Sequence, residues 1–190
     1  MKKNVVIAFC FTLVTTVMFG ILYPLAVTGL AQVLFPKRAN GQLIEKNGKT
    51  VGSKIIGQMF TEPGYFHSRP SNAGTGYDAT ASSGSQLGPT NRNLLERVKG
   101  DVGKLQAESP NAPIPVDLVT ASGSGLDPEI SPAAAEFQIP RVARERGMKE
   151  EDVRALVQKH RKDRDLGFLG EPRVNVLQLN LDLDSVHPWR

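Results

Sequence analysis

The chain has 190 residues, a formal net charge of +4 and a single cysteine, Cys10. Two of its basic residues, Lys2 and Lys3, precede an uncharged segment, and the small positive excess that remains is not the clustered footprint of a nucleic-acid binder. Because Cys10 lies inside that segment, the rest of the chain has no thiol. This excludes a disulfide scaffold, a cysteine-ligated zinc site and a cysteine nucleophile.

The N-terminal segment is long and apolar enough to cross a membrane. It has no Asp, Glu, Lys or Arg between Asn4 and Pro36, and about 20 helical residues span the hydrocarbon core. We predict a transmembrane helix over about residues 5–27, within an anchor of residues 1–36, which Pro24 kinks or ends. A cleaved signal peptide is the alternative, although its apolar region is about 7–15 residues long. The predicted transmembrane residues are Val5, Phe9, Cys10, Phe11, Leu13, Val17, Gly20, Leu22 and Tyr23.

The orientation of this helix is ambiguous from charge alone. Lys2 and Lys3 precede it, whereas Lys37, Arg38 and two further lysines follow it closely. A positive-inside count would leave the C-terminal part in the cytoplasm, but that rule is weak for a long translocated domain. The residues therefore leave both orientations open.

Residues 42–58 predict a β-hairpin, because Asn47-Gly48 separates two short strand-like runs and favours a type I′ turn. A phosphate loop ending at Gly48-Lys49-Thr50 is excluded because position 43 is Leu where that motif needs Gly.

Residues 60–92 are rich in Gly, Ser, Thr, Asn and Pro and predict a long loop. Its interspersed side chains make it too aromatic for a flexible linker, and long ordered loops are often functional. Acid–base chemistry by His67 is one hypothesis, and a structural role in satisfying loop carbonyls is the other. The candidate residues in this loop are Tyr65, Phe66, His67, Arg69, Tyr77 and Asp78.

Helical spacing of apolar residues predicts a helix over 91–106, capped by Asn91 or Thr90. Residues 116–119 suggest a short strand. The following Ser122-Gly123-Ser124-Gly125 is a tight loop whose backbone N–H groups could alternatively cradle an anion or contact a partner.

Ser131-Pro132 begins the next predicted helix, which Pro140 breaks or kinks and Gly147 ends. A further helix is predicted over about 149–161, and the charged run 160–165 reads as its solvated end. Residues 174–184 alternate leucine with polar residues and predict a strand. Asp182 and Asp184 would then share one face, exposed to water or binding a cation.

No complete phosphate loop, zinc-protease motif, nucleophile elbow or aspartyl-phosphate sequence occurs in the chain. The residues therefore favour an accessory or interaction protein. Two alternatives stay open: an anchored hydrolase using His67 with Ser83 or Asp78, and an anchored solute-binding domain.

Several long blocks resemble one family, the C subunit of the Kdp potassium-transporting P-type ATPase. The resemblance runs nearly end to end and includes the single N-terminal span. The blocks that carry it are 65–71 (YFHSRPS), 77–85 (YDATASSGS), 88–91 (GPTN), 115–128 (PVDLVTASGSGLDP) with residues 130–132, 135 and 141–143, and 170–177 (GEPRVNVL) with 179–180.

The resemblance implies an α+β fold, with a single transmembrane helix followed by one compact soluble domain, residues 37–190, with a small sheet. It implies a non-catalytic subunit that partners a channel-like subunit and a P-type ATPase subunit in K⁺ import. It also implies a catalytic chaperone that raises the ATP affinity of the ATP-hydrolysing subunit, with no tightly bound cofactor of its own. The implied location is the inner or plasma membrane, with the N-terminus cytoplasmic and the soluble domain extracytoplasmic.

Overall fold

The computed structural model describes residues 1–189, which form two compact units divided between Val51 and Gly52. The first unit begins with one continuous helical segment, Lys2–Leu34, which is long and apolar enough to span a membrane. In the part of the chain that the structure describes, none of its side chains is buried, so its apolar surface needs lipid or partner helices around it.

This segment consists of α1 (Lys2–Val17), a π-helical turn (Met18–Leu22) and α2 (Tyr23–Leu34). The prediction that Pro24 ends the helix is wrong. The helix continues through Pro24 and past residue 27 to Leu34. The π turn immediately before Pro24 shifts the backbone hydrogen bonding by one residue, and Tyr23 N–H bonds to the Met18 carbonyl. A local π adjustment of this kind lets a membrane helix accommodate a proline.

The predicted hairpin is confirmed. A short helix, α3 (Pro36–Ala39), leads into β1 (Leu43–Lys46) and β2 (Lys49–Ser53), which pair as a two-stranded sheet. Asn47 and Gly48 have φ angles of 54° and 72°, as both central residues of a type I′ turn require.

The second unit is an α+β domain, as predicted. Helix α4 (Arg92–Glu108) begins at Asn91, whose side chain accepts from Asn93 N–H at 2.9 Å. Helices α5 (Pro132–Arg146), α6 (Glu150–His160) and α7 (Val176–Val186) enclose the core. A three-stranded antiparallel sheet has the order β3 (Glu129–Ile130), β5 (Arg173–Asn175), β4 (Arg161–Lys162).

Helix α5 confirms its predicted start and end but not its interruption. Ser131 caps its first turn by accepting from Ala134 N–H at 3.0 Å, and Gly147 ends it at a φ of 66°. Pro140 lies inside the helix without breaking it. Its position is exposed, so water can satisfy the carbonyl that loses a partner.

The strand predicted over 174–184 is wrong, because only Arg173–Asn175 is extended and Val176–Val186 is helical. Asn175 starts the helix by accepting from Gln178 N–H at 3.0 Å. The alternating pattern places the leucines at odd-numbered positions, as on one face of a strand. The residues that are buried, however, follow helical spacing. They are Val176, Leu177, Leu179, Asn180 and Leu183.

Three smaller predictions change with this correction. Asp182 bonds to Lys159 and His160, whereas Asp184 bonds to Arg146, so the two carboxylates serve separate ion pairs. Residues Val116–Leu118 form a 3₁₀ turn instead of a strand. The charged run ends α6 at His160 but continues as strand β4, which pairs with β5.

Candidate functional site

Two loops that are distant in sequence meet in the second unit. Residues 69–85 lie against residues 120–128, and we call this contact the loop clasp. Arg69 Nη1 bonds to Asp127 Oδ2 at 3.0 Å, and Ser83 N–H donates to the Ser124 carbonyl at 3.0 Å. The clasp thus joins two segments that the sequence analysis identified separately. They are the aromatic loop, residues 60–92, and the Gly/Ser loop, Ser122–Gly125.

The centre of the clasp is the Ser71 hydroxyl. Ser71 Oγ donates to the Gly125 carbonyl at 2.5 Å and accepts from Tyr77 N–H at 2.9 Å. Tyr77 OH donates to the Arg69 carbonyl at 2.8 Å. Burial raises the pKa of Tyr77 to about 12, so its phenol remains a protonated donor at neutral pH.

The Gly/Ser loop uses some of its own backbone donors. Gly125 N–H donates to Ser122 Oγ at 2.9 Å, and Leu126 N–H donates to Ser124 Oγ at 3.1 Å. Among the described residues that line the open pocket beside it, of about 560 Å³, Arg69 is the one cation. Because Asp127 already neutralises Arg69, this pocket is a weak candidate for a polyphosphate.

The hydrolase hypothesis needs a hydrogen-bonded nucleophile and base. The hydroxyl of Ser83 donates to the Gly84 carbonyl, and His67 Nε2 bonds to the Glu62 carbonyl at 3.1 Å. Asp78 accepts from both the N–H and the hydroxyl of Thr80, and these bonds lower the pKa of Asp78. The hydrogen bonds of the three candidates therefore lead to other partners and form no nucleophile–base pair.

Two buried amide side chains hold the backbone of the aromatic loop. Asn180 accepts from Phe66 N–H at 2.9 Å and donates to the Phe66 carbonyl at 3.0 Å. Gln138 does the same for His67, at 2.7 and 3.1 Å. Phe66 itself is fully buried. This part of the candidate loop is thus a fixed element of the core.

Two buried arginines of α5, which the sequence analysis did not single out, also fix this loop. Arg141 bonds to Glu108 at 2.8 Å and to the Tyr65 carbonyl at 2.9 Å. Arg146 lies with its guanidinium 4.7 Å from the Tyr65 ring centroid. The available signal was helical spacing, because Arg141 lies three positions after inward-facing Gln138.

The buried imidazole of His67 predicts that the stability of the domain depends on pH. Burial lowers the pKa of His67, and the positive charge of Arg141 lowers it further. Between the lowered native pKa and the unfolded value of about 6.5, the unfolded chain binds more protons, so stability falls with falling pH. We expect the melting temperature to fall between pH 7.5 and 5.5, measured by circular dichroism on the full chain.

The matched control is His67→Gln, whose side chain supplies an amide N–H donor in place of the imidazole and does not titrate. Its melting temperature should change less over the same pH interval. An equal change in both proteins would assign the pH dependence to other groups.

The fold and the clasp define a class: a single-span membrane protein carrying one α+β domain whose polar loops are closed onto each other. A family model described as "KdpC: K+-transporting ATPase, c chain" matches residues 5–185. Similar proteins named "Potassium-transporting ATPase KdpC subunit" include one from Koribacter versatilis, 61% identical over 99% of this chain and 97% of its own length. Another, from Caulobacter vibrioides, is 59% identical over 91% and 88%. The chain belongs to the KdpC family, whose members are subunits of a K⁺-transporting ATPase.

Proposed function

We propose that this chain is a non-catalytic accessory subunit that raises the ATP affinity of the ATP-hydrolysing subunit of its complex. The observation that carries the proposal is the loop clasp, whose hydrogen bonds lead from one loop to the other. Its Arg69 is held by Asp127, and its serine hydroxyls are engaged with backbone groups. The domain acts as a rigid body for assembly, and binds no cofactor tightly.

The proposed partners are a channel-like K⁺-translocating subunit and a P-type ATPase subunit. The apolar surface of Lys2–Leu34 supports helix–helix assembly in the membrane, because none of its side chains is buried among the described residues 1–189. Gly20 and nearby threonines would permit close approach of a partner helix. The Gly20 position has room, since the nearest atom to an added Cβ is Thr16 Cγ2 at 3.8 Å.

The proposed orientation has the N-terminus in the cytoplasm and the second unit outside it. ATP is cytoplasmic, so an extracytoplasmic domain must act on ATP affinity through the complex. Such coupling requires that ATP and this subunit favour the same global state, and it is reciprocal. ATP should therefore tighten the association of the chain with its complex.

The function is tested with the purified complex prepared with and without this chain. We expect the complex without the chain to need more ATP for half-maximal K⁺-stimulated hydrolysis. The full chain alone in detergent should show no ATP binding in equilibrium dialysis. An unchanged ATP requirement would refute the affinity effect, whereas tight ATP binding by the isolated chain would refute the indirect route.

The orientation is tested by cysteine labelling, because Cys10 is the only cysteine and lies in the span. A chain with Cys10→Ser and Lys104→Cys carries one exposed thiol on α4. A membrane-impermeant maleimide should label this thiol in cells whose cytoplasmic membrane is intact. The reagent must be able to reach the outer face of that membrane. Labelling only after the membrane is disrupted would reverse the proposed orientation. The Cys10 parent chain is the matched control and should remain unlabelled.

A further inference from the structure

The first unit carries a surplus of positive charge immediately after the membrane-spanning helix. Between Leu34 and Val51 there are four cationic residues, and Glu45 is the one acidic residue in that interval. All four cationic side chains are exposed. We call these residues the juxtamembrane cations, and they are Lys37, Arg38, Lys46 and Lys49.

The length of the span places the first two of these cations among lipid headgroups. Lys2–Leu34 has 33 residues, so at 1.5 Å per residue it is about 50 Å long. A bilayer with its headgroup regions is about 40–45 Å thick. When Lys2 and Lys3 lie at the headgroups of one leaflet, the other end of the helix therefore reaches the headgroups of the opposite leaflet.

Two amide side chains hold α3 on that end of the span. Gln32 Nε2 donates to Asn40 Oδ1 at 3.2 Å, and Asn40 Nδ2 donates to Gln32 Oε1 at 3.3 Å. The guanidinium of Arg38 lies 5.9 Å from the centroid of the Phe35 ring. Because these contacts tie α3 to the last turns of α2, Lys37 and Arg38 stay at the level of the headgroups.

The hairpin adds two cations that face each other. Its first strand begins directly after Gln42, whose N–H donates to the Lys37 carbonyl at 2.9 Å. Lys46 ends β1 and Lys49 begins β2, so the two lysines flank the two-residue turn and lie on the same face of the hairpin. Like charges directly opposite each other destabilise a strand pair. The fold by itself is therefore not stabilised by this pairing.

None of the juxtamembrane cations has a counter-charge within residues 1–189. The ion pairs found there involve other residues. In the second unit, by contrast, Arg69, Arg146 and Arg173 are each paired with a carboxylate. A surplus of one sign that the fold does not neutralise attracts ligands of the opposite charge.

Membrane topology does not account for these cations. In the proposed orientation they lie on the outer side of the membrane, whereas Lys and Arg are in excess in cytoplasmic loops. Anionic headgroups are a partner that is present where the span ends. Their attraction grows with each Lys or Arg near the surface and falls off within a Debye length.

We infer that the juxtamembrane cations bind the headgroup phosphates of anionic phospholipids in the leaflet where the span ends. The Arg38 guanidinium can bind a phosphate through two parallel hydrogen bonds, and the lysines act as point charges. Lipid is the occupant because the contacts between α3 and α2 keep the first two cations at the membrane surface. The inference concerns only this chain and the membrane, so it is independent of the proposed effect on ATP affinity.

The test uses the full chain alone in phosphatidylcholine vesicles that contain a minor fraction of phosphatidylglycerol. The chain carries Cys10→Ser and Ala39→Cys, which places a donor fluorophore at an exposed position next to Arg38. Energy transfer is compared for the same acyl-chain acceptor on phosphatidylglycerol and on phosphatidylcholine, with a donor–acceptor pair of short range. We expect phosphatidylglycerol to be enriched around the donor by at least about fivefold, the factor that one Lys or Arg near the surface contributes.

A variant with all four juxtamembrane cations changed to Gln should show equal energy transfer to the two lipids. Its melting temperature should not fall, because the four side chains are exposed and form no ion pair in the described part of the chain. Lys37→Gln with Arg38→Gln leaves the hairpin intact and should lose most of the enrichment. Salt at about 1 M should abolish the enrichment in the parent chain, because it shortens the Debye length to about 3 Å.

The matched control is Lys2→Gln with Lys3→Gln, which removes two cations at the other end of the same helix and should keep the enrichment at the donor. Equal energy transfer to both lipids in the parent chain would overturn the inference and favour an acidic surface on a protein partner. Enrichment that persists in the variant lacking all four cations would overturn it as well, since other groups would then attract the lipid.

Discussion

Replacing Arg146 with Ala should destabilise the domain by about 3–5 kcal/mol, the largest effect expected of any single substitution considered. The side chain of Arg146 is fully buried and pairs with Asp184 at 2.9 Å. It also donates to the carbonyls of Gly64 and His187. Truncation would leave the Asp184 charge and both carbonyls without this partner, and the loss of buried partners is costly.

The Arg146 guanidinium also lies against two aromatic rings, at 4.7 Å from the Tyr65 centroid and 5.5 Å from the Trp189 centroid. One side chain therefore connects the aromatic loop, α5 and the segment after α7. The free energy of unfolding is measured by chemical denaturation of the full chain in detergent, monitored by tryptophan fluorescence. Trp189 is the only tryptophan, so it reports on this region directly.

Arg144→Ala is the matched control, because Arg144 belongs to the same helix and its side chain is 66% exposed. Its ion pair with Glu145 is on the surface, and such pairs contribute about 0–1 kcal/mol. Similar free energies of unfolding for the two variants would show that burial of Arg146 does not determine its contribution.

Gly125→Ala should open the loop clasp and destabilise the domain by about 2–4 kcal/mol, from strain and overpacking together. Gly125 has a φ of 66°, which a residue with a Cβ adopts at a cost. An added Cβ would lie 2.6 Å from the Ser83 carbonyl oxygen and 2.7 Å from Ala73 N. Both neighbours are backbone atoms, so relief requires that the two loops separate.

Gly123→Ala is a close control, since it changes the same loop two residues earlier. An added Cβ there meets no atom within 4 Å, so the unfolding free energy should change by less than about 0.5 kcal/mol. Hydrogen exchange at the Ser83 amide, which bonds across the clasp, should accelerate in Gly125→Ala and not in Gly123→Ala. Equal exchange in both variants would refute the assignment of Gly125 to the clasp.

These two substitutions separate the core from the candidate site. Arg146 holds the aromatic loop near Tyr65, next to the core. Gly125 belongs to the Gly/Ser loop and contacts the aromatic loop farther along the chain, in the clasp. If the closed clasp supports the proposed effect on ATP affinity, Gly125→Ala should raise the ATP requirement of the assembled complex while Gly123→Ala leaves it unchanged. Recovery of each variant with the complex must be measured first, so that loss of assembly is not mistaken for loss of coupling.

Local sequence signals determined the elements that depend on near neighbours. The uncharged run from Asn4 to Pro36 established the membrane span, because a helix satisfies its own backbone in lipid. Asn47-Gly48 established the hairpin turn, and Ser131 and Gly147 established the ends of α5, since turn and cap chemistry involves only a few adjacent residues.

Tertiary structure decided what alternation alone could not. The residues from Val176 to Val186 fit both a strand with leucines on one face and a helix with a buried stripe. Packing against α6 and the sheet selects the helix, in which Asn180 can reach the backbone of Phe66. The same packing separates Asp182 from Asp184, giving each its own cationic partner.

The sequence likewise predicted only part of the candidate site. Its two loops were recognisable by composition and by their resemblance to the family, but the bond from Arg69 to Asp127 joins residues 58 positions apart. Neither local propensity nor periodicity encodes a contact at that separation. The sequence by itself therefore determined the long apolar N-terminal helix, the turns and the family of this protein. Only the tertiary structure decided that the two loops close on each other, because their hydrogen bonds join residues that are distant in sequence and adjacent only in the folded domain.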